Sequence, residues 1–279
     1  MESWLRVEPV AQGPAWSHRV VLGDLVARGV PSAEVEGEVA AESLRGWSLR
    51  WSVGRADVLF PVGDLAFGPP DGAVPVRRFS WRPGQRHRPG LGYSVSTGRM
   101  HGFESLAERR TLLVLDFLGG VGEVSSQPFV LRFTVGGRRM EHVPDLVVLG
   151  EGGVRVVDVR PGARGDRTDA VKFAATARVA AAAGWSYELV AGWRPGPAKV
   201  IETLAARRRT LRDPLALQAR LLETVAREPA RLGRLVAGTG VPAVARVHLL
   251  YLLWHRRLAV DLHHPLDDAT WVHLVGGAR

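Results

Sequence analysis

Residues 142–161 read HVPDLVVLGEGGVRVVDVRP, and no other stretch limits the possible folds as tightly. Two apolar runs rich in valine flank a short glycine-rich link, the pattern of two strands joined by a tight turn. If the turn is symmetric, its centre lies between Glu151 and Gly152. Residues equidistant from that centre then face one another, and Asp145 and Asp158 are such a pair. Like charges directly opposite on neighbouring strands are destabilising. An apolar core accommodates them if a cation sits between the carboxylates. Arg160, two residues beyond Asp158, points to the same face. Two carboxylates with a basic group beside them suit Mg2+-dependent phosphodiester hydrolysis. Hard cations bind through oxygen, activate water and stabilise the leaving oxygen, while the basic group steadies the developing charge. A purely structural reading stays open: Asp158 ion-pairs with Arg160 or another arginine, and Asp145 serves the turn after Pro144.

A third acid lies upstream. In ESLAERR, Glu104 and Glu108 are four apart and share one helical face. Ser105 to Glu108 also matches a capping box, in which the glutamate only caps its own helix. The spacing does not choose between these roles.

The chain has 279 residues, enough for two or three structural units. It has no cysteine, which excludes disulfides and thiolate metal sites. No apolar run of about 18 residues is present, so no membrane span is expected. The N-terminus lacks the pattern of a signal peptide, and a cytoplasmic location is expected. The net charge is +9, which suggests a polyanionic partner such as DNA. Of 37 basic residues only Lys172 and Lys199 are lysines, so a compositional bias toward arginine accounts for part of that charge.

Residues 1–98 read as a β-rich region ending in a basic linker. GWSLRWSV places Trp47, Leu49, Trp51 and Val53 on one face, as a half-buried strand does. The stretch RRFSWRPGQRHRPGLGYSVSTGRM reads as a linker or as an ordered loop contacting DNA. Residues 99–194 read as one α/β core in the order αβββαβ. Its elements are FESLAERRTLLVLDFL (helix), QPFVLRFTV, RRMEHVPDLVVL and VRVVDVRP (strands), TDAVKFAATARVAAAAG (helix, capped by Thr168 or Asp169) and WSYELVAG (strand). After a Pro/Gly break at WRPGPAK, residues 195–279 read as three helices and a β-hairpin, the layout of a winged helix. Its third helix, Pro242 to Arg257, is mostly apolar, which favours packing or partner binding over base reading. The histidines His255, His263, His264 and His273 lack the spacing of a zinc motif.

Taken together, GFESLAERRTLLVLDF, SSQPFVLRF, HVPDLVV, VVDVRP and FAATARVAAAAGW closely resemble the TnsA-like endonuclease subunit of heteromeric transposases, in its actinobacterial form. VRRFSWRPGQRH and LLYLLWHRRLAVDLHHPLDDATWV are similar to that subfamily as well, so the resemblance covers roughly residues 75–275. It implies a PD-(D/E)xK nuclease core followed by a winged helix. It implies nicking of double-stranded DNA at the 5′ ends of a transposon, in an assembly with a TnsB-like DDE transposase and a TnsC-like AAA+ ATPase. The C-terminal region would dock on one of these partners, and the protein would join the nucleoid when assembled on DNA. The family's catalytic acids fall on Glu108 and Asp145. Asp158 fills the position of its Glu or Gln, and Arg160 that of its lysine. Mg2+ or Mn2+ would be held by Glu108, Asp145 and Asp158, with the Val159 carbonyl as a further ligand. Asp158 and Arg160 are departures: aspartate is a methylene shorter, and arginine does not mimic a lysine that orients water. Lys172 is placed to supply the missing ammonium, or is a helix-surface lysine. Gln127 matches the family, near the site or ordering a strand entry. A scaffold with little or no cleavage is the alternative function.

Overall fold

The computed structural model describes residues 4–8, 13–67, 70, 72–77, 89–163 and 165–276. Residues 78–88 of the basic stretch at 77–100 therefore lie outside the described residues. The fold is mixed α/β and forms two compact units. The first comprises residues 1–9, 26–112 and 119–192; the second comprises 10–25, 113–118 and 193–279. Each unit thus draws on the N-terminal third of the chain.

The first unit is built on a six-stranded sheet. Its strands in chain order are β1 (Leu5–Glu8), β2 (Val26–Pro31), β3 (Val121–Ser126), β4 (Leu146–Gly150), β5 (Gly153–Val159) and β6 (Ser186–Trp193). Their spatial order is β1-β2-β6-β5-β4-β3. β5 and β6 run parallel, while β4 is antiparallel to both β5 and β3. Val147 and Val156 are buried on one face, Leu146 and Val157 on the other. That two-sided burial explains why these strands read as nearly continuous apolar runs.

The hairpin forms as its sequence requires. Gly150 pairs with Gly153 across Glu151–Gly152, and Leu146 pairs with Val157. Gly153 supplies the turn with a φ of 84°, which costs a residue without Cβ little. A second sheet pairs Phe129–Val135 with Arg138–His142 on one side and Ser48–Val53 on the other. Trp47, Leu49 and Trp51 are buried on one side, as the alternation predicts. Trp51 packs on Phe129 and Trp47 on Phe133, with ring centroids 4.9 and 5.3 Å apart. Between the sheets lie the helices α1 (Ala33–Ala41) and α3 (Arg167–Ala182); α2 (Leu106–Leu118) follows the hairpin Gly90–Tyr93/Met100–Phe103.

Several expectations are corrected. Five strands, not three, separate α2 from α3. Val121–Ser126 is short and polar, and carries too little apolar pattern to stand out. RRMEHVPDLVVL is two strands rather than one, Arg138–His142 in the second sheet and β4 in the first. Pro144 separates them, since it has no N–H to give to a ladder. The N-cap of α3 is Asp166, which accepts the Asp169 N–H at 2.9 Å, rather than Thr168 or Asp169. The Pro/Gly break after β6 opens a helix, Pro195–Ala205, because proline is pre-organised for a first turn.

In the second unit, helices Leu217–Arg227, Leu232–Ala237 and Pro242–Trp254 accompany a small sheet, in which Trp271–Leu274 lies between Ala230–Arg231, from the link between the first two helices, and Leu258–Ala259. Leu249, Leu252, Leu253 and Trp254 of the third helix are buried, so much of its apolar surface is used within the unit. Among the described residues no helix is long and apolar enough to cross a membrane.

Candidate acidic site

The site is assembled at the open end of the β4–β5 hairpin. Continuing the pairing one residue past Leu146↔Val157 brings Asp145 opposite Asp158, as expected from the sequence. Asp145 is tied down from two strands. Its Oδ2 accepts the Val159 N–H at 2.7 Å, and its carbonyl accepts the Gln127 N–H at 2.8 Å. The Asp145 pKa is pushed well above the ordinary carboxylate range. Burial is the largest cause, followed by the negative charges of Asp158 and Glu108; the Val159 N–H and Arg77 act in the opposite direction. Asp145 therefore feels two other acids, one from a helix and one from the neighbouring strand.

Asp158 is 1% exposed. Its partners are neither of those considered from the sequence. His142 Nε2 lies 3.0 and 3.1 Å from its two oxygens, and the Tyr187 hydroxyl donates to Oδ2 at 2.9 Å. The Tyr187 pKa is pushed well up by burial and then by the Asp158 charge, so the phenol stays a donor. The His142 ring meets Phe173 of α3 edge-on, with centroids 5.6 Å apart.

Glu108 caps its own helix, one of the two roles left open by its spacing. Its Oε1 accepts from the Ser105 hydroxyl at 2.8 Å and its Oε2 from the Glu104 N–H at 2.7 Å; Ser105 Oγ accepts the Glu108 N–H at 3.1 Å. That is a capping box in which the glutamate reaches the N–H one residue before the Ser105 cap. The carboxylate is also buried, and its charge is felt at Asp145. Burial and the neighbouring Glu104 raise its pKa, against the Glu104 N–H, the Ser105 hydroxyl and Arg77.

The basic groups lie elsewhere than the spacing suggests. Arg160 is exposed, and its guanidinium is ion-paired with Asp169 near the start of α3. Lys172 Nζ lies 3.8 Å from the same Asp169. The arginine that acts on both Asp145 and Glu108 is Arg77, which is paired with Glu104 at 2.6 Å. Gln127 sits beside Asp145 with φ 47° and 1% exposure, and neither end of its amide has a partner among the described residues. A buried unpaired amide and a left-handed non-glycine backbone are both costly, and their coincidence points to function.

Sequence reasoning missed His142, Tyr187 and Arg77. A polar ring in an otherwise apolar strand was the available signal for Tyr187. His142, three residues before Asp145, and Arg77, opening the basic stretch, carried weaker ones. Among the described residues no three histidine, aspartate or glutamate side chains are gathered closely enough to hold a metal ion as they stand. The donor set, all carboxylate oxygen, still fits a hard cation. It is also a set whose mutual repulsion a cation would relieve. The chain matches no protein-family model and no curated protein sequence.

Proposed function

We propose that the chain is a metal-dependent DNA endonuclease subunit of a heteromeric transposase, nicking phosphodiester bonds at the transposon's 5′ ends. Its core would be of the PD-(D/E)xK kind and its C-terminal helices and sheet a winged helix. The observation that carries the reading is Asp145, whose ionisation is opposed by both Asp158 and Glu108 in a half-buried setting. Such an arrangement is costly without a cation and suits one well. The motif resemblance supports the remainder: a TnsB-like transposase and a TnsC-like ATPase as partners, double-stranded DNA as substrate, and a cytoplasmic, nucleoid-associated setting. The net charge of +9 agrees with a polyanionic substrate.

In this mechanism Asp145, Asp158 and Glu108, with the Val159 carbonyl, would hold Mg2+ or Mn2+. When bound, the cation supplies the Lewis acidity for attack of water on the phosphodiester. The Val159 N–H fixes the Asp145 carboxylate. Arg77 and Arg160 supply positive charge for the phosphate, and a guanidinium can grip phosphate through two N–H groups. Lys172 stays on Asp169. Gln127 offers a buried amide for a hydrogen bond to a bound group.

A second reading, a scaffold with weak or no cleavage, draws on specific contacts. Glu108 is engaged in its cap, Asp158 in two hydrogen bonds, and Arg160 and Lys172 on Asp169. A nicking assay separates the two. It combines the protein with its transposase and ATPase partners, DNA bearing the element's ends, and Mg2+ or Mn2+. Wild type is expected to nick the 5′ strand, and Asp145→Ala to assemble but lose nicking. Retained nicking in Asp145→Ala sinks the nuclease reading. No wild-type nicking, with a gain in Arg160→Lys, establishes the scaffold.

A further inference from the structure

Asp158 is a residue whose surroundings a set of acids around a cation does not by itself explain. It is almost fully buried, and the guanidinium two residues on is paired with Asp169. Its carboxylate is instead gripped by two donors from different elements. His142, at the end of the strand Arg138–His142, places Nε2 within 3.0–3.1 Å of both oxygens. Tyr187, on β6 beside β5, donates its hydroxyl at 2.9 Å. His142 is steadied by Phe173, so the grip reaches from the second sheet through α3 to the first.

An ionised carboxylate has about four acceptor positions. Two donors leave room for a cation. Hydrogen bonds behind a ligating carboxylate set its direction, and their loss typically costs about 10–100-fold in metal affinity. Aspartate is a methylene shorter than glutamate, so its reach depends strongly on how it is aimed. We infer that His142 and Tyr187 are positioning residues that aim the Asp158 carboxylate into the space it shares with Asp145. The inference rests on the cation-dependent reading above and adds two residues to it. A merely structural role for the pair would lower stability and leave cation affinity unchanged.

The test is calorimetric titration of Mn2+ into the full chain, beside metal-free melting curves. Wild type, Asp158→Ala, Tyr187→Phe, His142→Ala and His142→Gln are compared. Asp158→Ala is expected to abolish binding. Tyr187→Phe and His142→Ala are each expected to weaken it by about 10-fold or more. His142→Gln, whose amide N–H can donate to the same carboxylate, is expected to recover most of the loss. Tyr187→Phe removes one hydroxyl only, and it carries the test alone should His142→Ala not fold. Wild-type affinity in Tyr187→Phe and His142→Ala, with binding lost in Asp158→Ala, overturns the positioning role and leaves the cation site standing. No Mn2+ uptake by wild type overturns the cation site, and the inference with it.

Discussion

At the scale of single residues, the acidic site carries an electrostatic cost. Asp145 has a raised pKa in the fold, so its charged form is the disfavoured one. For such an acid the folded state binds the proton more tightly than the unfolded chain does. The stabilisation is complete below the unfolded pKa and is lost as pH rises through the folded value. At neutral pH in a chelator, wild type therefore carries a penalty that Asp145→Asn does not. The asparagine oxygen can still accept the Val159 N–H. The Asn variant is expected to melt higher than wild type at pH 7–8, with the gap closing as pH falls through the raised folded value and gone below about 4. Added Mn2+ should raise the wild-type melting temperature and leave the variant's in place, since only binding to the native state stabilises it. Thermal melts over pH, with and without Mn2+, check this; a wild type that melts above Asp145→Asn in chelator would remove the electrostatic penalty on which the site rests.

At the scale of elements, the sequence was clearest where the information is local. The hairpin register, the Trp47–Leu49–Trp51 face and the helix ended by Gly184 follow from turn chemistry and periodicity within a few residues. Asp145 and Asp158 were legible because a short symmetric turn relates them. His142 and Tyr187 were not: they lie 16 and 29 residues from Asp158, Tyr187 reaching it across the β5–β6 pairing and His142 from the second sheet. Arg77 reaches Glu104 across 27 residues through the same kind of non-local packing. β3 was hidden because glycine and serine carry little pattern, yet it matters to the site. The register of β4 against β3 shifts between Leu149 and Gly150. A Cβ on Gly150 would collide with the Gly120 backbone carbonyl. Gly150→Ala should therefore force the backbone apart at that shift and destabilise the first unit by about 1–3 kcal/mol. Urea denaturation measures it; a midpoint equal to wild type would show that the β3–β4 junction gives way freely.

At the scale of the whole molecule, the N-terminal third is woven into both units. Ser48–Val53 lies in the middle of the second sheet, between Phe129–Val135 and Ala56–Pro61. β2 covers the edge of β6, next to the strand that carries Asp158. In the second unit Leu22 and Leu25 are buried, and the Ser17 N–H reaches the Val260 carbonyl at 2.9 Å. From the sequence, residues 1–98 read as a region apart, because pairing between strands some 80 residues apart leaves no local mark. The two divisions predict different behaviour for residues 99–279 alone. Without Ser48–Val53, β1 and β2, both sheets expose unpaired edges, which template aggregation. Trp47, Leu49 and Trp51 also leave the core, and aromatic and leucine side chains each stabilise a core by about 2–5 kcal/mol. A typical domain has only about 5–15 kcal/mol in total. Residues 99–279 are therefore expected to be insoluble, or soluble without a cooperative melting transition. The full chain should melt cooperatively at the same concentration. A cooperative transition in the shorter chain, by circular dichroism and calorimetry together, would mean that the acidic site stands on residues 99–194 without the N-terminal strands, and that their pairing adds little to its foundation.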